Sequence, residues 1–374
     1  MKETKKKKLL VFHPIIAPYR VDFFNALSQH YEAKIVLYWR NLKDQTFDYA
    51  KIEAQLVFNP EFCVKEELGT FGWLKRLWLY LSVVKPDMIF VSEYGIISLL
   101  VLVHRFLTRL KYKIVSITDD SYDMLADNNH FSKRHKFAIN LLAPLINEFI
   151  NVEPNSAQWY QLHFGKGIFF PIIVDEQKTE CKYEKILPIS ESFVKQYGLE
   201  GKKVLLFVGR LVALKNVGRI IDAVKQISNT ELRFVIVGSG DEEKSLKEKS
   251  ALDNRIIFVG RKEGDALYAW YNIASVFVLA SYQEPFGAVT NEALLGGCRC
   301  LVSKKAGSHC LIDPDINGET FDPYNLNEIK DKIEHEMSSS TALKLPLTKR
   351  KSLMTFQFGV MFDSVITRLD NVKA

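Results

Sequence analysis

Two carboxylates, Glu284 and Glu292, bracket a Pro-Phe-Gly turn within the stretch from Ala280 to Gly297. The stretch follows a strand-like apolar run, Ala274 to Leu279, and opens a helix. Pro285 and Gly287 interrupt regular structure between the two acids. A turn of this kind leaves the amides of Gly287, Ala288 and Val289 without intrahelical acceptors, so they can face an anion. One carboxylate before the turn and one inside the helix could then hydrogen-bond sugar hydroxyls beside bound phosphates. Taken alone, the stretch reads more simply as an ordinary strand-to-helix junction with two surface glutamates. What stands upstream reverses that balance.

Upstream lies Phe207-Val-Gly-Arg-Leu-Val-Ala-Leu-Lys-Asn216, in which a strand delivers a glycine and two cations bracket a short loop. Arg210 can grip a phosphate in bidentate fashion and Lys215 adds a point charge beside it. Solvated basic residues on a loop are the plainer reading. At the C-terminal end of the first strand of an α/β half, phosphate binding is the better one. Val237-Gly-Ser-Gly240 invites a dinucleotide reading, but Asp241-Glu242-Glu243 follow. Acids there would repel a pyrophosphate and instead complement the helix dipole, so a tight turn is expected and a nicotinamide enzyme is disfavoured.

The elements that must position these residues follow from hydrophobic periodicity. Leu9 to Phe12 is a buried parallel-strand signature, followed by a Pro14/Pro18 loop and a helix from Val21. Strands are expected over 33–39, 88–92, 113–118, 148–152 and 167–171. Helices are expected over 71–85, with Trp73, Leu77, Trp78 and Leu81 on one face, and over 95–110 and 135–146. After a polar linker, 175–188, a second cycle begins with strands over 203–208, 233–237, 256–259, 275–279 and 299–303 alternating with helices. Ser338 to Arg350 reads as a loose connection before a closing helix over 356–369. The fold class is therefore α/β, with two Rossmann-like domains facing across a cleft in which ligands meet strand C-terminal ends. The expected division is 1–175, a linker and connecting helix over 176–202, 203–350, and a C-terminal helical segment, 351–374, that could pack back on the first domain.

Length supports two domains: 374 residues exceed one typical core. With 47% hydrophobic and 25% charged residues, the chain is neither disordered nor fibrous. Residues 1–174 carry 22 Lys and Arg against 17 Asp and Glu, most of the net charge of +6. That surplus suits an anionic surface but is too small to argue for nucleic acid, and no nucleic-acid motif is present. Five cysteines are odd in number and match no metal spacing. No signal-type segment is evident at Met1 to Lys8, and a reducing, cytoplasmic compartment is expected. The longest apolar run, Gly95 to Val103, is too short to span a bilayer.

Gly209-Arg210 with Lys215, Phe258-Val-Gly260, Glu284-Pro-Phe-Gly287 with Glu292, and Asn317-Gly318 stand in an order that resembles the GT-B retaining glycosyltransferases of family 4. The likeness runs from about Lys203 to Pro323 and touches the first half through Pro14 to Phe24. It implies a nucleotide-diphosphate sugar as donor, with no metal and no cofactor required. Arg210 and Lys215 would hold the diphosphate, and Glu292 the ribose hydroxyls. Phe286, Gly287, Ala288 and Val289 would lie along the phosphates and sugar. Glu284 would approach the transferred sugar near its anomeric carbon, and Gly260, Arg261 and Lys262 would border the base. Two departures from the family pattern are Gly297-Cys-Arg-Cys-Leu301 and Ala306-Gly-Ser-His-Cys310. Many relatives place a histidine at the end of a first-domain strand; here that strand ends in Asp119-Asp120, making Asp119 the candidate acceptor-side residue. Capping of a loop or helix is the competing role for this pair.

The acceptor would be a glycan or lipid-linked, handled by the first domain, with surface polysaccharide or glycoconjugate synthesis as the setting. Lys5 to Lys8, Lys75-Arg76 and Lys133-Arg134-Lys136 could make peripheral contact with an anionic membrane, with Trp73 and Trp78 at the interface, although a tryptophan helix before Pro-Asp more often packs on the sheet. A nucleotide-sugar epimerase of the same fold and a non-catalytic nucleotide-sugar-binding subunit are the alternatives.

Overall fold

The structure, a computed structural model, describes residues 5–40, 47–126 and 133–372. The chain divides into two units, Met1–Val174 with Gly359–Ala374, and Asp175–Phe358.

The first unit holds seven parallel strands: β1 (Lys8–His13), β2 (Glu32–Leu37), β3 (Glu61–Phe62), β4 (Met88–Ser92), β5 (Lys113–Thr118), β6 (Glu148–Asn151) and β7 (Ile168–Phe169). Their order is β3-β2-β1-β4-β5-β6-β7. The helices are α1 (Val21–His30), α2 (Tyr49–Glu53), α3 (Lys65–Val84), α4 (Ile96–Thr108), α5 (Tyr122–Ala126), α6 (Lys133–Leu142) and α7 (Pro154–Phe164). Leu9, Leu10, Val11 and Phe12 are all inaccessible to solvent, as expected of a strand covered on both faces. On one face, Leu10, Phe12, Ile89, Val91, Ile114 and Phe149 form a core with Trp73 and Leu77 of α3, Val101 of α4 and Ile139 of α6. These helices therefore form one layer.

The second unit opens with α8 (Glu176–Lys185) and α9 (Leu187–Gln196). Its strands are β8 (Lys203–Val208), β9 (Leu232–Val237), β10 (Ile256–Gly260), β11 (Val276–Leu279), β12 (Arg299–Ser303) and β13 (Gly318–Phe321), in the order β10-β9-β8-β11-β12-β13. The remaining helices are α10 (Val217–Gln226), α11 (Glu243–Ser250), α12 (Asp265–Ile273), α13 (Val289–Leu295) and α14 (Leu326–Ser339). A final helix, α15 (Phe358–Asn371), returns to the first unit. There Arg368 donates to Glu148 (3.1 Å), and Lys7 pairs with Asp370 (2.8 Å).

In both sheets the strand order reverses at one place, between β1 and β4 and between β8 and β11. At such a switch point, loops leaving neighbouring strands diverge to opposite faces and open a crevice at the strand C-termini. Arg210 and Lys215 follow β8, and Glu284 follows β11.

Three expectations need correction. Residues 175–188, expected as a polar linker, are helical over Glu176–Lys185 and group with the second unit. Asp175 caps α8 by accepting from Gln177 N (3.0 Å), while the Tyr183 hydroxyl of α8 donates to Glu292 O (2.9 Å) and Leu347 N reaches Glu191 of α9 (2.9 Å), tying both helices into the second unit. The short strands β3 and β13 were missed because two residues, or a polar Gly-Glu-Thr-Phe, carry no periodic signal. Trp73 is not interfacial: it is 5% exposed and donates its indole N–H to Cys63 O (2.9 Å). Trp78 is half-buried against His104, with ring centroids 4.6 Å apart.

Candidate functional site

The second unit builds its switch point from three loops. β8 ends in Gly209, whose amide donates to Val237 O (3.0 Å), while Leu211 N donates to Ser239 O (2.9 Å). The Gly238-Ser-Gly240 turn is thus a support under the basic loop. A Cβ on Gly238 would stand 1.9 Å from Gly209 O, and one on Gly240 2.4 Å from Leu211 O. Only a residue without a side chain lets the two backbones meet this closely. The loop then tightens into a 3-10 turn, Ala213–Lys215, and Asn216 adopts the left-handed conformation, its side-chain Nδ2 donating to Pro323 O (3.1 Å).

The loop after β11 is tied to this one by Tyr282 N donating to Leu214 O (2.9 Å). That bond brings Lys215 and Glu284 into direct ion-pair contact, each side chain 16% exposed. Glu284 is held from behind by the loop after β12. Its amide donates to Lys305 O (3.1 Å), its carbonyl accepts from Gly307 N (3.0 Å), and Phe286 O accepts from Ser308 N (2.7 Å). Arg210, in contrast, is exposed and its guanidinium has no partner among the described residues. The basic loop therefore presents one cation already matched by a carboxylate and one unmatched.

Beyond Glu284 the chain turns at Gly287 (φ 92°), where a Cβ would stand 2.7 Å from Leu279 Cδ2 and 3.3 Å from Glu284 Cγ. A side chain here would displace the carboxylate. Phe286 is buried and anchors the turn. Thr290 N and Asn291 N donate to Gly287 O and Ala288 O, so the amides of Gly287, Ala288 and Val289 precede the first bonded turn of α13. Glu292 sits within α13, and its Oε2 accepts from the Tyr271 hydroxyl of α12 (2.9 Å). Protein packed around it raises its pKa, opposed by the Tyr271 bond and by Lys182. Gly260 ends β10, and its carbonyl accepts from Gly238 N (3.0 Å). Arg261 pairs with Glu263 (2.5 Å) on the surface and Lys262 is half-buried.

Asp119 belongs to the first unit, at the corresponding end of its sheet. It pairs with Arg20, which is itself 3% exposed. Asp120 points the other way and accepts from the Tyr160 hydroxyl (3.1 Å). Burial and the adjacent Asp119 push Asp120 up to about 6, against the pull of the Tyr160 bond. Glu93, which follows β4, meets solvent on one side. Desolvation on the others, with Asp120 and Asp119 nearby, raises it to about 7. His13 ends β1; burial and then Arg20 lower it to about 4, so it is neutral. Its Nδ1 lies 2.7 Å from Ile15 O. A carbonyl can only accept, so Nδ1 carries the proton and Nε2 keeps its lone pair.

The sequence reading named Asp119 but not Arg20, His13 or Glu93, which the structure groups with it. The available signal was position, since each lies at or just beyond a strand of the same switch point. It also missed Tyr271 and the Ala306–Ser308 support, which no local pattern announces. Among the described residues, one trio has spacing suited to a metal, Glu319, His335 and Glu336. Lys332 and Arg299 already pair with its two carboxylates.

Residues 190–349 match the family model described as glycosyl transferases group 1. An uncharacterized glycosyltransferase of Methanocaldococcus jannaschii is 32% identical over 143 residues, covering 37% of each chain. A GDP-mannose-dependent alpha-mannosyltransferase of Mycobacterium tuberculosis is 26% identical over 185 residues, covering 49% of this chain and 47% of that one. The chain thus spans less than half the length of these curated relatives. Solved structures match throughout. The Anabaena protein HepE, crystallised with UDP and glucose, gives a TM-score of 0.73 at 17% identity over 98% of this chain and 100% of its own. The two Rossmann-like units are therefore those of the GT-B fold, and residues 190–349 carry the match to the group 1 glycosyl transferases.

Proposed function

We propose that the chain transfers a sugar from a nucleotide-diphosphate sugar to a glycan or lipid-linked acceptor with retention of anomeric configuration, in surface polysaccharide or glycoconjugate synthesis in the cytoplasm. The observation that carries this reading is the contact of Lys215 with Glu284 at the second unit's switch point, beside an unpaired Arg210. An arriving diphosphate draws Lys215 away from Glu284 and fills the guanidinium of Arg210. Glu284 is then released toward the sugar. Glu292, oriented by Tyr271, accepts from the ribose hydroxyls, and Gly260, Arg261 and Lys262 border the base.

In the transfer, the bond from the anomeric carbon to the diphosphate oxygen breaks and the acceptor oxygen bonds to that carbon from the same face. The acceptor proton passes to the departing phosphate oxygen. Charge grows on the diphosphate as the bond breaks, and Lys215 and Arg210 stabilise it without a metal. Asp119, held by Arg20, positions the acceptor hydroxyl.

The similar proteins include a GDP-mannose-dependent enzyme and a protein crystallised with UDP, so a donor screen spans both bases. Release of nucleoside diphosphate in the presence of donor and acceptor is the readout. Lys215→Ala is expected to lower turnover by about two orders of magnitude, the usual effect of removing one charge-stabilising group. Unchanged turnover in that variant would sink the assignment.

A further inference from the structure

The outer face of the first unit's helical layer is apolar where a surface should be polar. On α4, Ile96, Leu99, Val103 and Phe106 are all exposed, Phe106 at 82%. Their spacing of three and four residues puts them on one stripe. It lies opposite the buried side of Ile97, Val101 and Leu102. Two neighbouring helices repeat the pattern. Phe71, Leu79 and Val83 protrude from α3, with Phe71 at 82%, and Phe137 and Leu141 protrude from α6. The helices are joined beneath this face. Trp78 of α3 packs on His104 of α4, and Arg105 of α4 donates to Asn147 (2.8 Å) and Leu145 O (2.6 Å) after α6.

The charge around the face is predominantly positive, the acids of these helices being Glu66 and Glu67 in the first turn of α3. Residues 68–85, 94–112 and 133–147 contain nine Lys and Arg and no Asp or Glu. Arg105 is turned inward. Of the other eight, Lys136 is half-buried, and Lys75, Arg76, Lys85, Arg109, Lys111, Lys133 and Arg134 are exposed.

We infer that this face docks on an anionic lipid bilayer. Protruding aromatic and branched side chains enter the acyl boundary, while the cations around them remain at the level of the lipid phosphates. A second copy of the chain fits less well. A two-fold contact sets a patch against itself, which here would bring a surplus of cations against the same surplus, with only Glu66 and Glu67 at the edge of α3 to offset it. The bilayer is touched and not crossed, because no helix among the described residues is long and apolar enough to span it. The inference replaces Trp73 and Trp78 with Phe71, Phe106 and Phe137 as the side chains that meet lipid. It does not rest on the donor-site reading.

Flotation of the full chain with phosphatidylcholine vesicles, with and without phosphatidylglycerol, tests it. Partitioning is expected to be about tenfold stronger on the anionic vesicles and to fall at high salt, because headgroup attraction is screened. The double variant Phe106→Ser, Phe137→Ser and the charge reversal Lys75→Glu, Lys111→Glu are each expected to reduce binding about tenfold. All four positions are surface sites, and the far-UV circular dichroism of the variants should match that of the parent. The inference is overturned if the parent chain does not float with anionic vesicles at low salt, or if both variants bind as the parent does. It is equally overturned if sedimentation shows a dimer that Phe106→Ser, Phe137→Ser dissolves while vesicle binding is absent, which would make a second copy the occupant.

Discussion

The two units share a strand order through the switch point and differ in what they place there. The second unit sets two cations and a glycine turn at the ends of β8 and β11, and its helices are polar outside. Only Leu214, Leu252, Ile316 and Tyr324 are large exposed apolar residues in it. The first unit sets carboxylates at the matching position, Glu93, Asp119 and Asp120, with a single buried Arg20, and its helical layer is apolar outside. One topology thus carries an anion-seeking crevice in one copy and an acid-rich crevice in the other. Topology determines where a site can be, and the residues that leave the strands determine its chemistry.

The comparison breaks most readily at Gly238, because the second unit's basic loop rests on it. A methyl group 1.9 Å from Gly209 O cannot be accommodated without moving the backbone that carries Arg210. Gly238→Ala should cost about 3 kcal/mol, the upper end for overpacking. Hydrogen exchange should show lost protection in β8 and β9, with β1, β4 and β5 unaffected. Equal protection in both states would mean that the turn is not a support.

On the first unit's side, acid crowding has a measurable sign. Asp120 rises from the ordinary 3.8 to about 6 on folding. The native state therefore holds its proton more tightly than the unfolded chain does. That contribution is present below about pH 3.8 and lost as pH rises through about 6. Asp120→Asn removes the loss and retains an acceptor for Tyr160, so at pH 8 the variant should be more stable by up to about 3 kcal/mol, shrinking to nothing near pH 4. His13 acts in the opposite sense. Lowered to about 4, it costs stability as pH falls from about 6.5, so the variant-minus-parent difference is the quantity to follow in urea titrations. Equal stability at pH 8 would remove Asp120 from the account.

What could be read from sequence divides along the same line. Strands covered on both faces announce themselves as unbroken apolar runs, so β1, β4, β5, β8, β9 and β11 were legible. Arg210, Lys215 and Glu284 were legible because each lies within a few residues of a strand end. Pairings across the sheet were not. Arg20 meets Asp119 only because β1, β4 and β5 are adjacent, and Ser308 supports Phe286 only because β12 follows β11. The character of α4 was misleading in a different way. An apolar helix is expected to be buried on all sides, and its sequence shows no sign that Phe106 faces outward.

The smallest expected effect tests whether Glu292 serves the donor at all. Its carboxylate is desolvated, which favours the protonated form, and the Tyr271 hydroxyl favours the charged form by donating to it. Tyr271→Phe deletes that donor while filling nearly the same space. A hydrogen bond to a charged group is worth about 1.5 kcal/mol, so the pKa of Glu292 should climb further. A protonated carboxyl accepts poorly from ribose hydroxyls. Nucleoside diphosphate binding should therefore weaken by about five- to tenfold near neutral pH, and its decline on acidification should begin at higher pH than in the parent. Calorimetric titration across mildly acidic to neutral pH measures both quantities. If affinity and inflection are both unchanged, Glu292 braces α13 against α12 and has no part in holding the nucleotide.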